Sequence, residues 1–125
     1  MTASMRQSQP DDGRALAIVP HDEDGIQRIV LTGELDVSTV PEFNKRMSEL
    51  RHRGFHSIVL DLGGVTFMDS TGLSAILVAE MHARMRGQRF SVIEGPAHVN
   101  ELFRLTGVDN FLDIVSRRGA RDRPV

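Results

Sequence analysis

A small α/β domain on a mainly parallel sheet is what this sequence predicts, and three observations predict it. The chain has 125 residues, a length at which one hydrophobic core is the expected solution. Short runs rich in Ile, Val and Leu alternate with segments of helical period, the pattern that folds into strand–helix–strand crossovers. Asp-Gly, lone Gly and Gly-Pro signals punctuate those segments. The expected order is β-β-α-β-α-β-α-β, giving a mixed, mostly parallel sheet of about five strands with three or more helices.

Residues 1–14 mix Ser, Gln, Pro, Asp and Arg without periodicity and are expected to form a disordered N-terminal tail. Residues 15–19 and 26–31 read as strands, and the stretch between them ends in Asp24-Gly25, a hairpin turn signal. The pattern then turns helical: Val40, Phe43, Met47 and Leu50 fall on one face. Thr39 with Glu42 three residues on, and Pro41 between, predict a capping-box start, and Gly54 predicts the stop. Residues 57–62, Ser-Ile-Val-Leu-Asp-Leu, form a nearly continuous apolar run, expected as a central strand covered on both faces.

A second helix is expected over residues 70–86, ended by Gly87, followed by a strand over 90–93 that Gly95 and Pro96 break. A third helix carries Val99, Leu102 and Phe103 and stops at Gly107, and residues 111–115 are the last expected strand. The folded domain thus spans residues 15–115. Residues 116–125, with Arg117, Arg118, Arg121 and Arg123, form a basic tail expected to be solvated.

Composition narrows the function classes. Fifteen Lys and Arg against seventeen Asp and Glu leave a formal charge of -2, which supplies no basic field for a phosphate backbone. Aromatic residues are 5% of the chain, all Phe, so base stacking is poorly supplied too, and direct nucleic-acid binding is not expected. No apolar run approaches the ~20 residues that span a bilayer, and the polar start lacks a signal-peptide block; no membrane partner and a cytoplasmic location are expected. Without cysteine there is no disulfide, thiolate nucleophile or thiolate metal site.

In a parallel sheet, partners meet the loops leaving the carboxyl ends of the strands. Two such loops stand out: Gly33-Glu34-Leu35-Asp36 and Phe67-Met68-Asp69-Ser70-Thr71-Gly72. Either Asp69 or Ser70 can cap the second helix, and Gly72 inside its first turn suggests a close approach to the backbone. Catalytic motifs fail on spacing: Met68 stands where a hydrolase elbow needs Gly, and Gly72 comes one residue too late after Asp69 for an aspartic protease. Gly63, Gly64 and Gly72 lack the Lys-Ser/Thr of a phosphate-binding loop.

His52 and His56 are four apart, but Gly54 lies between them at a helix end, so no metal site is expected there. Asp36, Asp61 and Asp69 can cluster to hold Mg²⁺, although solvated carboxylates with capping duties are the simpler reading. On the second helix, Leu77, Val78, Met81 and Met85 are expected in the core. Leu73 and Ile76, near the solvent pair Glu80 and Arg84, form either a docking ridge or packing beneath a loop.

The segments Gly33-Glu-Leu-Asp36, Ile58-Val-Leu-Asp-Leu62 and Phe67-Met-Asp-Ser-Thr-Gly-Leu73 closely resemble those of the STAS-domain anti-sigma factor antagonists of bacteria, over residues 15–115. The resemblance implies that Ser70 is the serine phosphorylated by an anti-sigma factor with serine kinase activity, and that a protein phosphatase removes the mark. The bare form would bind that factor and free a sigma factor, with Asp36, Asp69, Ser70, Thr71, Gly72, Leu73 and Ile76 at the contact. No catalytic residue and no cofactor is implied, so the protein is not expected to be an enzyme. The alternative is a ligand-sensing or scaffold module of the same fold in which Ser70 only caps the helix. Ester hydrolysis by Ser70 lacks a histidine placed to act as its base.

Overall fold

The computed structural model describes residues 15–50 and 54–117, so the expected tail 1–14, His52, and Arg118, Arg121 and Arg123 lie outside the described residues. The elements are β1 (Leu16–Glu23), β2 (Ile26–Leu35), α1 (Val40–Leu50), β3 (Ser57–Met68), α2 (Ser70–Met85), β4 (Arg89–Ile93), α3 (Ala97–Thr106), a 3₁₀ turn (Val108–Asn110) and β5 (Asp113–Val115). This is the order the sequence predicts. Both Asp24 and Gly25 take positive φ, 53° and 79°, the geometry of a tight hairpin turn.

The five strands lie in the order β1-β2-β3-β4-β5, with β1 antiparallel to β2 and the rest parallel. Every crossover steps to the next strand in the same direction, and right-handed connections therefore put all three helices on one face. That face is the core: Ile29, Leu31, Leu60, Leu62 and Val92 meet Phe43, Ile76, Val99 and Phe103. β3 is central, and residues 58–62 are buried on both sides, as the apolar run predicts.

Two boundaries differ from expectation. β3 does not stop at Leu62; it runs on through Gly63 and Gly64 to Met68, with register shifts against β2 between Val30 and Thr32 and between Gly33 and Glu34. The two glycines have room where side chains would not: Gly64 sits against Thr32 in the bulged pairing, and Gly63 against the guanidinium of Arg117. β5 is only three residues long, and Phe111 stands exposed before it.

The back face of the sheet holds a charged cluster. Asp61, 3% exposed, accepts a hydrogen bond from Arg28 Nη2 at 2.8 Å, another from Arg117 Nη2, and one from the Gly63 N–H at 2.9 Å. Burial opposes ionisation of this carboxyl, but the bonds from Arg28, Arg117 and Gly63 together outweigh it and hold its pKa below the ordinary carboxylate value. Arg117, expected in solvent, is thus tied to the sheet.

Candidate functional site

The site grows from the ends of β2 and β3. Leu35 pairs with Met68 as the last step of the parallel register, so Asp36 and Asp69 leave the sheet side by side. Gly72 explains how the second helix starts so close to that edge: a methyl there would overlap the carbonyl oxygen of Leu35. The close approach is to the protein's own backbone, and it presses the first turn of α2 against the strand that delivers Asp36.

Asp69 is the N-cap of α2, with Oδ1 accepting from the Gly72 N–H at 3.0 Å, which decides between the two candidate caps. Ser70 is then the first helical residue. It is exposed, and no hydrogen bond engages its hydroxyl among the described residues. The amides of Ser70 and Thr71 have no acceptor within the helix, because first-turn amides never do.

Asp36 is 1% exposed, which differs from an aspartate offered to a partner. Its Oδ1 accepts from Ser38 N at 3.0 Å, Ser38 Oγ at 2.7 Å and Thr39 N at 3.3 Å. The Thr39 hydroxyl donates to the Glu34 carbonyl at 2.8 Å and accepts from the Asp36 N–H at 3.0 Å. Thr39 therefore ties the turn back to β2, and α1 begins from this knot. Asp36 shapes the loop beside Ser70 from within.

The faces of α2 differ from the sequence reading: of the four residues expected in the core only Leu77 packs against it, and of the two alternatives for Leu73 and Ile76 the packed one holds. Leu73 and Ile76 are buried, at 5% and 0% exposure, so they form no docking ridge; Val78, Met81 and Met85 are exposed instead of filling the core. The cause is that the helix is apolar nearly all round and buries a line of small residues, Gly72, Ala75, Ala79 and Ala83, whose hydropathy signal is weak beside that of Met and Val. The expected solvent pair Glu80 and Arg84 is present at 3.2 Å.

Two residues of this edge were not among the contact residues expected from the sequence, although Phe67 opens one of the two loops named there. Val37 is 68% exposed directly after Asp36, and Phe67 is 43% exposed directly before Met68. Phe67 pairs in register with Glu34, so both apolar side chains flank the Asp36–Ser70 edge. For Val37 a signal was available, an apolar residue inside a loop where a solvent-facing polar one is the norm, whereas Phe67 lies within β3.

The three aspartates do not gather around one point. Asp61 belongs to the back face, and Asp36 and Asp69 are engaged in separate turns. Among the described residues, no group of three or more His, Cys, Asp or Glu could hold a metal ion, and His56 Nε2 lies 3.3 Å from the Asp24 carbonyl oxygen. No described helix is long and apolar enough to cross a membrane.

Comparison with known proteins gives this geometry its family. The family model described as "Mlab, STAS domain" matches residues 21–116. The anti-sigma-B factor antagonist of Staphylococcus aureus (strain NCTC 8325 / PS 47) is 31% identical over 93 residues, covering 74% of this chain and 85% of that one. The crystal structure of an anti-sigma factor antagonist from Mycobacterium paratuberculosis superposes with a TM-score of 0.72 at 22% identity, covering 80% and 85% of the two chains. The Bacillus protein SpoIIAA, known in unphosphorylated and phosphorylated forms, gives TM-scores of 0.68 and 0.64 at 21% and 20% identity. The two matches cover 86% of this chain, with 95% and 98% of the respective SpoIIAA chains. By its sequence match and by the order of its strands and helices, this chain belongs to the STAS domain family that includes the bacterial anti-sigma factor antagonists.

Proposed function

We propose that this protein is an anti-sigma factor antagonist whose association with its partner is switched by phosphorylation of Ser70. The observation that carries the reading is the exposure of Ser70 at the first position of α2, with its hydroxyl unengaged while Asp69 performs the capping. In this reading the partner is an anti-sigma factor with serine kinase activity, met in the cytoplasm. The protein acts by binding, and the chemistry belongs to the kinase: Ser70 Oγ bonds to the γ-phosphorus of ATP as the bond to the β-phosphate oxygen breaks, ADP leaves, and the hydroxyl proton passes to a kinase base. A phosphatase reverses the mark by hydrolysis.

The local chemistry supports a switch. A phosphate adds about -1.5 to -2 charges beside Asp69, and a partner fitted to a neutral serine flanked by Val37 and Phe67 must then desolvate a concentrated negative charge. The first-turn amides of Ser70 and Thr71 can donate to that phosphate at the helix N-terminus, so the fold itself persists. Asp69, Ser70 and Thr71 form the contact, Gly72 allows the helix its approach, and Asp36 is a positioning residue for the loop. Leu73 and Ile76, being buried, support the helix from beneath.

Incubation with candidate anti-sigma kinases and ATP, followed by mass mapping, tests this. A single phosphate on Ser70 is expected, with Ser70→Ala binding constitutively and Ser70→Asp binding at least tenfold more weakly. Modification elsewhere, or equal affinity of the bare and phosphorylated forms, overturns it. A ligand-sensing module is the second reading, favoured by a groove between α1 and α2.

A further inference from the structure

A groove of about 460 Å³ runs between α1 and α2, and its walls contain no Asp, Glu, Lys or Arg in a chain that is 26% charged. Three of its residues, Met47, Ala79 and His82, also wall a smaller cavity of about 30 Å³ beneath it. That cavity reaches the sheet at Gln27, whose side chain is on the core face with Ile29 and is 0% exposed. Gln27 Nε2 donates to Asp22 Oδ1 at 3.0 Å, and because a carboxylate can only accept, this contact fixes the amide the right way round. Its other end, Oε1, is buried without a hydrogen-bond partner.

A buried acceptor of this kind demands a donor. The inner cavity is large enough for one donor group, since a water needs roughly 10–15 Å³ by the same measure. Of the remaining walls there, Leu50, Ile58, Ala83 and Phe90 are apolar, and the amide of Gln88 is spent on the Phe55 carbonyl, to which its Nε2 donates at 2.6 Å. We propose that the α1–α2 groove is a binding site for a small, neutral amphiphile whose hydroxyl or amide N–H reaches Gln27 Oε1 while its apolar body lies along Met47 and Ala79. Apart from His82, a charged ligand has nothing in the walls to pair with, and a purely apolar one leaves the Gln27 acceptor unmade.

The site also adjoins the switch. Thr71 and Ser74, in the first two turns of α2, wall the upper groove, as does Val40 at the start of α1. An occupant wedged between the helices would alter how Ser70 is presented, and only this link rests on the phosphorylation reading.

The experiment uses the full chain and 1-hexanol as probe, followed by NMR of the methyl groups of Met47, Ala79 and Ala83 and of the Gln27 side-chain amide. Saturable shifts confined to these groups are expected. Gln27→Met, which keeps the length and removes the acceptor, should weaken hexanol about fivefold, the value of one neutral hydrogen bond. Ala79→Leu, which adds bulk to the wall that the groove and the inner cavity share, should abolish the shifts. Non-saturable or scattered shifts, equal hexanol affinity in Gln27→Met, or a single water on Gln27 that hexanol does not displace would each overturn the proposal. Failure of kinase transfer to Ser70 leaves these binding readouts untouched, so the two ideas fail separately.

Discussion

Leu60 and Asp61 are neighbours on the central strand, both almost wholly buried, and they belong to two differently built faces of one sheet. Leu60 points to the helices, where contact is apolar and close-packed. Asp61 points to the back face, where a carboxylate is tolerated because Arg28, Arg117 and the Gly63 amide supply its donors. The helix face gains by excluding water. On the back face, burial is acceptable only while each donor stays in place, so the same depth rests on different physics.

Replacing Leu60 by Ala should have the largest effect, lowering stability by about 3–4 kcal/mol in urea unfolding, the transfer term plus a cavity that neighbouring β-strands cannot collapse around. A loss under about 1 kcal/mol would mean the helix face is looser than its packing implies. Asp61→Asn should cost about 1–2 kcal/mol at neutral pH, because its two arginines are half-exposed and recover hydration when released.

The second substitution carries a pH signature. The folded-state pKa of Asp61 lies below its ordinary value, so its contribution is fully present above about pH 4 and is lost as pH falls through the lower folded value. The stability gap between wild type and Asp61→Asn should therefore be constant from about pH 6 to 8 and close progressively below about pH 4. A gap that persists unchanged at pH 2 would remove the ion pairs as its cause.

The same contrast governs how much could be read from the letters. The helix face announces itself through periodicity: the apolar run of β3, the stripe of Val40, Phe43, Met47 and Leu50, and the order of all eight strands and helices follow from hydropathy and turn residues. The site's serine is legible because a short motif holds it at a helix start. Interactions decided by residues far apart in sequence are not legible. The partners of Asp61 lie 33 and 56 residues away. Asp36 is missed for a different reason: its partners Ser38 and Thr39 are local, but three polar residues in a loop do not announce that they close on one another and bury the carboxylate. Helix α2 misleads for a related reason: alanines mark its buried face, and they become informative only once the sheet beneath them is known.

Gly63→Ala sharpens the back-face account. A methyl there would overlap the guanidinium of Arg117, the mobile end of a long side chain, so the arginine swings away and only its pairing with Asp61 is lost. The expected cost is about 0.5–1 kcal/mol, reduced further by added salt, as for a half-exposed ion pair. Adding Arg117→Ala to Gly63→Ala should then change little more, and additive losses would separate the two residues.

The smallest effect belongs to the hairpin edge, where the two faces meet solvent. Ile18 and Val19 are adjacent on β1, and the antiparallel register sets Ile18 opposite Leu31 and Val19 opposite Val30. Ile18 therefore packs against the helix-side core, while Val19 faces the back and is 46% exposed. Threonine keeps the β-branch that suits a strand and adds a hydroxyl that water can reach, so Val19→Thr should shift unfolding by no more than about 0.5 kcal/mol. Ile18→Thr places the same hydroxyl against apolar side chains and should lose distinctly more in a paired urea titration. Equal losses at the two positions would mean that the back face is as closed at its edge as it is at Asp61, and that the division between the faces ends before the first strand.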